Sequence, residues 1–136
     1  MPFAQLGLVP RNPEPRRFMP DLGALAPESF CYLTTTGRVT GRPHEIEIWC
    51  SLLPETRKLY MLAGGGDRAD WVKNLRKKPA VTVRISGEEL KGGARVVADA
   101  EEDEMSRRLL VEKYERSPGS LSGLRRRALP VAVDLA

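Results

Sequence analysis

Polar and apolar positions along the chain divide it into short segments with two different periods. Ile46, Ile48 and Cys50 alternate with Glu45, Glu47 and Trp49, a period of two that predicts one strand over 43–52. The aromatic and β-branched run SFCYLTTT (29–36), stopped by Gly37, predicts the strand before it. KLYMLA (58–63), after a PETR turn, AVTVRI (80–85) and ELKGGARVVADA (89–100) read as three more, with a bulge expected at Gly92 and Gly93. RALPVAVDLA (127–136) closes the chain as a strand, its Pro130 near the start where a lost donor matters least. Two stretches have helical character. One covers about 68–77, with Asp67 as N-cap and Pro79 ending it. The other, EEDEMSRRLLVEKYER, begins acidic and ends basic, which suits the helix dipole, and places Met105, Leu109, Leu110 and Tyr114 on one face. Residues 117–123 read as a loop.

About six strands and two helices, mostly joined by short turns, predict an α+β, mainly β architecture. An antiparallel sheet would curl into a small barrel with helices over its ends. A parallel sheet would need a helix between most strand pairs. Ahead of this domain (29–136) lies a segment (1–28) holding Pro2, Pro10, Pro13, Pro15, Pro20 and Pro27, which is expected to be extended, with a short helix near 21–25.

Composition narrows the function. With 136 residues, 41% hydrophobic and 29% charged, the chain is long enough for a core without staples. Two cysteines, Cys31 and Cys50, are too few for a disulfide scaffold and read as free thiols. A single histidine, His44, with no cysteine pair beside it, excludes a typical zinc site, so no metal is expected. No apolar run approaches membrane-spanning length, the start lacks a signal-peptide pattern, and a cytoplasmic protein is expected. The net charge of +4 favours anionic partners, but 6% aromatic residues give poor support to a nucleic-acid-binding barrel.

Two stretches carry candidate chemistry. In TTTGRVTGRP, Gly37 and Gly41 allow tight backbone turns, while Arg38, Arg42 and Thr40 offer donors suited to phosphate or carboxylate. No Lys-Ser/Thr pair follows the second glycine, so this is no Walker loop, and a hairpin turn with solvated arginines is the simpler account. In LAGGGDRADWVKNL, three glycines lead into a helix whose first-turn amides point outward, with Trp71 and Asn74 beyond. Trp71 either stacks on a ring or is plain core. Glu45 and Glu47 share one strand face, as a general-base pair or a solvated surface.

Taken together, LTTTGRVTGRP, LAGGGDRADWVKNLRKKPAVTVRI and the terminal RALPVAVDL resemble the deazaflavin-dependent nitroreductase family, of the split β-barrel, flavin-binding type. The likeness runs from about residue 30 to the end. It implies an F420H2-dependent oxidoreductase that passes a hydride to a small acceptor: a quinone, a nitroaromatic or an activated C=C bond. It further implies that Arg38, Val39 and Thr40 hold the phosphate and acidic tail of coenzyme F420, with Arg42 adding charge. His44, Glu45, Ile46, Glu47, Ile48 and Trp49 would flank the deazaflavin ring. Ala63, Gly64, Gly65, Trp71 and Asn74 would complete the pocket. Val39 stands where many members carry lysine, and the glycine run lacks another. FMN, haem or another planar ligand is therefore the alternative. No catalytic proton donor is identified; Tyr114 reads as helix core and His44 as structural. Partners are a small-molecule substrate and, through exposed sheet edges, a second copy.

Overall fold

The computed structural model describes residues 21–136; most of the proline-rich segment lies outside them. Element order is α1 (Leu22–Leu25), β1 (Cys31–Thr36), β2 (Pro43–Ile48), β3 (Ser51–Leu53), β4 (Lys58–Ala63), a 3₁₀ turn (Gly66–Arg68), α2 (Asp70–Lys77), β5 (Ala80–Ile85), β6 (Glu88–Val96), α3 (Ala100–Tyr114), α4 (Ser122–Arg127) and β7 (Leu129–Leu135). The strands form one antiparallel sheet in the order β2-β1-β5-β6-β7-β4-β3. It curls into the expected split barrel.

Two apolar clusters follow from the period of two. Inward-facing Leu33, Leu59, Met61, Val83, Val131 and Val133 fill the barrel, and Val72 and Leu75 of α2 with Leu22 and Leu25 of α1 cover it. On the opposite face Tyr60, Leu62 and Ala132 pack beneath Leu110 and Tyr114 of α3. That is why β4 is buried on both faces. α3 starts where Asp99 accepts the Glu102 amide at 2.9 Å, with acids in its first turn and Lys113 in its last.

Several sequence expectations need correction. The strand anticipated over 43–52 is two strands on opposite edges of the sheet. Cys50 leaves the ladder because its backbone is bound elsewhere: its amide donates to the Tyr114 hydroxyl at 3.0 Å, and its carbonyl accepts from Lys113 Nζ at 2.8 Å. Asp67 is not the N-cap of α2. The glycines form the 3₁₀ turn first, the helix begins at Asp70 after Ala69, and Asp67 instead pairs with Arg76 at 2.6 Å. The loop expected over 117–123 gives way at Ser122 to α4. There are thus seven strands and more than two helices among the described residues.

No bulge interrupts β6: Gly92 and Gly93 pair one-to-one with Val81 and Ala80 on one side and with Leu135 and Asp134 on the other. Gly92 is required by crowding, since a Cβ there would lie 2.5 Å from the Asp134 carbonyl oxygen, whereas one at Gly93 meets nothing within 4 Å. Gly92→Ala is therefore expected to destabilise the fold by about 2–3 kcal/mol, measured by urea denaturation, with Gly93→Ala costing clearly less.

The outer end of the sheet carries a polar network. Arg95 bonds both Glu102 oxygens at 2.8 and 2.9 Å and both Asp134 oxygens at 2.8 and 3.1 Å. Lys58 reaches Asp134 at 2.8 Å, and the Tyr60 hydroxyl donates to Glu102 at 2.7 Å. Arg95 holds Asp134 down to about 2, from an ordinary value of 3.8, and also lowers Glu102. Folded carboxylates with depressed pKa stabilise above the unfolded pKa and lose that contribution as pH falls through the folded one. The urea midpoint should therefore fall from pH 4 towards pH 2 (~4 being the unfolded carboxylate range), and Arg95→Met should flatten that acid limb.

Candidate functional site

The turn between β1 and β2 builds the main cleft. The Gly37 amide donates to the Arg42 carbonyl at 2.7 Å and Gly41 to the Gly37 carbonyl at 2.9 Å, while the Arg42 amide donates to Thr40 Oγ1 at 3.2 Å. Gly41 sits at φ +76°, a region that favours glycine. Gly37 is crowded, because a Cβ there would lie 2.9 Å from His44 Nε2, 3.0 Å from Thr40 Oγ1 and 3.1 Å from the Arg42 carbonyl oxygen.

Helix α2 fastens this turn from beneath. Asn74 is buried, and its Nδ2 donates to Thr35 Oγ1 at 3.3 Å. Its Oδ1 accepts from the Arg38 amide at 3.1 Å and from the Arg38 guanidinium at 2.8 Å. One carboxamide thus joins strand, turn and helix. Arg38 also reaches Asp70, donating to its carbonyl at 3.4 Å and pairing with its carboxylate at 3.3 Å.

The resulting cleft has a volume of about 450 Å³. Arg38, Val39, Thr40, His44, Glu45 and Ile46 line one wall, and Trp71 and Asn74 line the other beside Asp70. Trp71 is half-buried and packs its inner edge on the core. The structure therefore brings the arginine of the first motif and the tryptophan of the second to one cavity. Further along β2, a second cavity of about 280 Å³ is lined by Glu47, Ile48 and Trp49 with Phe30, Leu62, Leu110 and Leu124. Arg42, Gly64 and Gly65 line neither cavity, and Ala63 is buried in the core.

Other sequence candidates find structural partners. Glu45 pairs with Arg84 at 3.0 Å, and Arg84 lies over the Tyr32 ring at 4.4 Å. Glu47 accepts from the Tyr32 hydroxyl at 3.3 Å. Trp49 stacks on Tyr114 with ring centres 4.4 Å apart. The Tyr114 hydroxyl also contacts the Ser29 carbonyl at 2.7 Å and the Cys50 carbonyl at 2.9 Å, and burial pushes it up to about 12. Cys31 and Cys50 are free and buried, and the neighbouring Cys50 thiol together with burial drives Cys31 well above the thiol range.

Sequence reasoning missed Asp70, which lines the cleft. Asp70 lies four residues before Asn74, so the helical period puts both on one face, and that signal was available. Leu110 and Leu124 reach the second cavity only through tertiary packing.

The model of the F420H(2)-dependent quinone reductase family matches residues 16–136. The chain belongs to that family. It is accordingly an oxidoreductase, and the family's cofactor is coenzyme F420. Solved structures agree on the fold. An F420-H2 dependent reductase, FDR-A, superposes with TM-score 0.61 at 24% identity, covering 77% of this chain and 93% of that one. A FAD-binding protein from Mesorhizobium loti gives 0.58 at 15% identity, with 85% and 87% covered. A domain-swapped dimer gives 0.62 at 23% identity, with 77% and 79% covered. No curated protein matches the chain significantly. Among the described residues, no helix of this family member is long and apolar enough to cross a membrane, and no cluster of side chains could hold a metal ion.

Asn74→Ala would strip partners from Thr35 and from the Arg38 amide together. A loss of about 2 kcal/mol is expected, read by chemical denaturation, with faster amide exchange at 37–42 while β5 and β7 stay protected.

Proposed function

We propose that the two cavities along β2 together accommodate reduced F420 and its acceptor. On this reading the Arg38 turn takes the cofactor's anionic tail, and the apolar second cavity receives a flat, uncharged acceptor of the quinone or nitroaromatic kind. The observation that carries it is the convergence of Arg38, Thr40 and Trp71 on one cleft continuous in chain order with an apolar one. The donor set fits the group. F420 carries a phosphodiester and glutamate carboxylates, and the cleft offers the forked guanidinium of Arg38 and the hydroxyl of Thr40.

When bound, the deazaflavin supplies the hydride. The protein's part is positional. Arg38, steadied by Asn74, would fix the charged end of the cofactor. The Ile46 and Ile48 side chains, half-buried on β2, would form a dry wall beside its ring and exclude water from the path of transfer. Trp49, held flat by Tyr114, would close the acceptor's side. Tyr114 itself is spent on backbone carbonyls and keeps its proton, so it serves as a support for Trp49.

Titration with F420 followed by tryptophan fluorescence should give saturable quenching, and F420H2 oxidation should depend on an added benzoquinone or naphthoquinone. Arg38→Gln should weaken F420 binding about 10- to 100-fold, the range expected for losing hydrogen bonds to a charged group. Quenching by FMN with none by F420 would refute the assignment.

A further inference from the structure

Arg38 is held against α2 by two partners of opposite character. Asn74 is buried and neutral, and its Oδ1 lies 2.8 Å from the guanidinium. Asp70 is charged, with its side chain 85% exposed, and meets the guanidinium at 3.3 Å. An ion pair in so much water contributes little to stability, so a ligand oxygen can displace the carboxylate easily. The displaced carboxylate nonetheless stays in the cleft, because Asp70 is the first residue of α2 and that helix is fixed by Val72 and Leu75 in the core.

We propose that Asp70 is a specificity-determining residue of this cleft, which competes with the ligand's anionic groups for Arg38 and so penalises ligands by the charge of their tail. The cleft's other acid, Glu45, is already compensated by Arg84 at 3.0 Å. Arg42, the other cation of the turn, lines neither cavity, and Val39 beside Arg38 is uncharged and 87% exposed. Asp70 therefore offsets the charge of Arg38, the one lysine or arginine among the residues that line the cleft. Its effect falls on phosphate and carboxylate groups and leaves an uncharged ring unaffected, because Coulomb repulsion needs a charge on both sides. The consequence is a site that favours a deazaflavin with a short, weakly charged tail over one with many glutamates. This rests on the proposed placement of the cofactor tail at Arg38.

The test compares the full-length protein with its D70N, D67N and R38Q variants, by equilibrium binding of F420 and of the deazaflavin nucleoside that lacks phosphate and glutamate. Asp67 pairs with Arg76 at 2.6 Å outside the cleft, so D67N removes an equal charge as a control. D70N is expected to tighten F420 binding about three- to tenfold at low salt, with the gain shrinking at high salt. Nucleoside binding should be unchanged, and D67N should match the parent. Equal effects of D70N and D67N on F420, or equal tightening of nucleoside and F420, would overturn the proposal. If R38Q weakens F420 binding while D70N leaves it unaltered, the role given to Asp70 is wrong and the tail placement stands. If R38Q has no effect, the tail placement itself fails, and the proposal with it.

Discussion

The buried carboxamide of Asn74 is the joint on which the cleft depends. A side-chain amide has a donor and an acceptor, and in this fold each is used on a different element: Thr35 on β1 and Arg38 on the turn. An orphaned amide in that position would be costly, so the residue specifies one arrangement of helix against hairpin. The left-handed backbone at Gly41 and the crowded Gly37 then need only shape the remaining residues of the turn. A hydrophobic residue at 74 could fill the volume, but it could not fix the direction in which Arg38 leaves the backbone.

A second constraint acts at the break between β2 and β3. The chain must cross from one edge of the sheet to the other, and the peptide groups of Cys50 cannot remain in a ladder while it does so. The end of α3 satisfies them, with Tyr114 taking the amide and Lys113 the carbonyl, and Lys113 also binds the carbonyls of Ala26 and Glu28 at 3.2 and 2.7 Å. The same helix end therefore fixes the segment entering β1 and the crossing that presents Trp49. Burial without these partners would leave several polar backbone atoms unpaired.

Much of the fold was legible in the sequence because its strands obey one rule. Lys58–Ala63 and Ala80–Ile85 match their expected limits, each bounded by turn residues and rich in residues that suit a pleated surface. The crossing at Trp49–Cys50 was not legible, since the alternation of 46, 48 and 50 continues through it and the partners that break the ladder lie some 64 residues away. Asp67 and Ala69 compete for the start of α2, and the glycines decide in favour of the later one. That outcome depends on backbone freedom, which composition does not report. As for the cleft, the arginine turn and the tryptophan helix each stood out locally, but only the tertiary bond from Asn74 shows that they face each other. Asp70 lies inside the tryptophan motif, but an aspartate at a helix start has an ordinary explanation, so the sequence alone does not mark it out.

Among the described residues β2 forms one edge of the sheet, and its sequence has a consequence for self-association. It starts with Pro43, which has no amide to offer, and carries Glu45 and Glu47 on one side of the strand. A second copy of the same edge, arriving antiparallel about a two-fold axis centred on Ile46, would set Glu45 opposite Glu47 twice over. Shifting the axis by one residue sets a glutamate against its own twin. Like charges directly opposed across strands repel, and Arg84 offsets this at Glu45 but not at Glu47, so pairing of two copies through this strand is disfavoured while its isoleucine-bearing side stays clear.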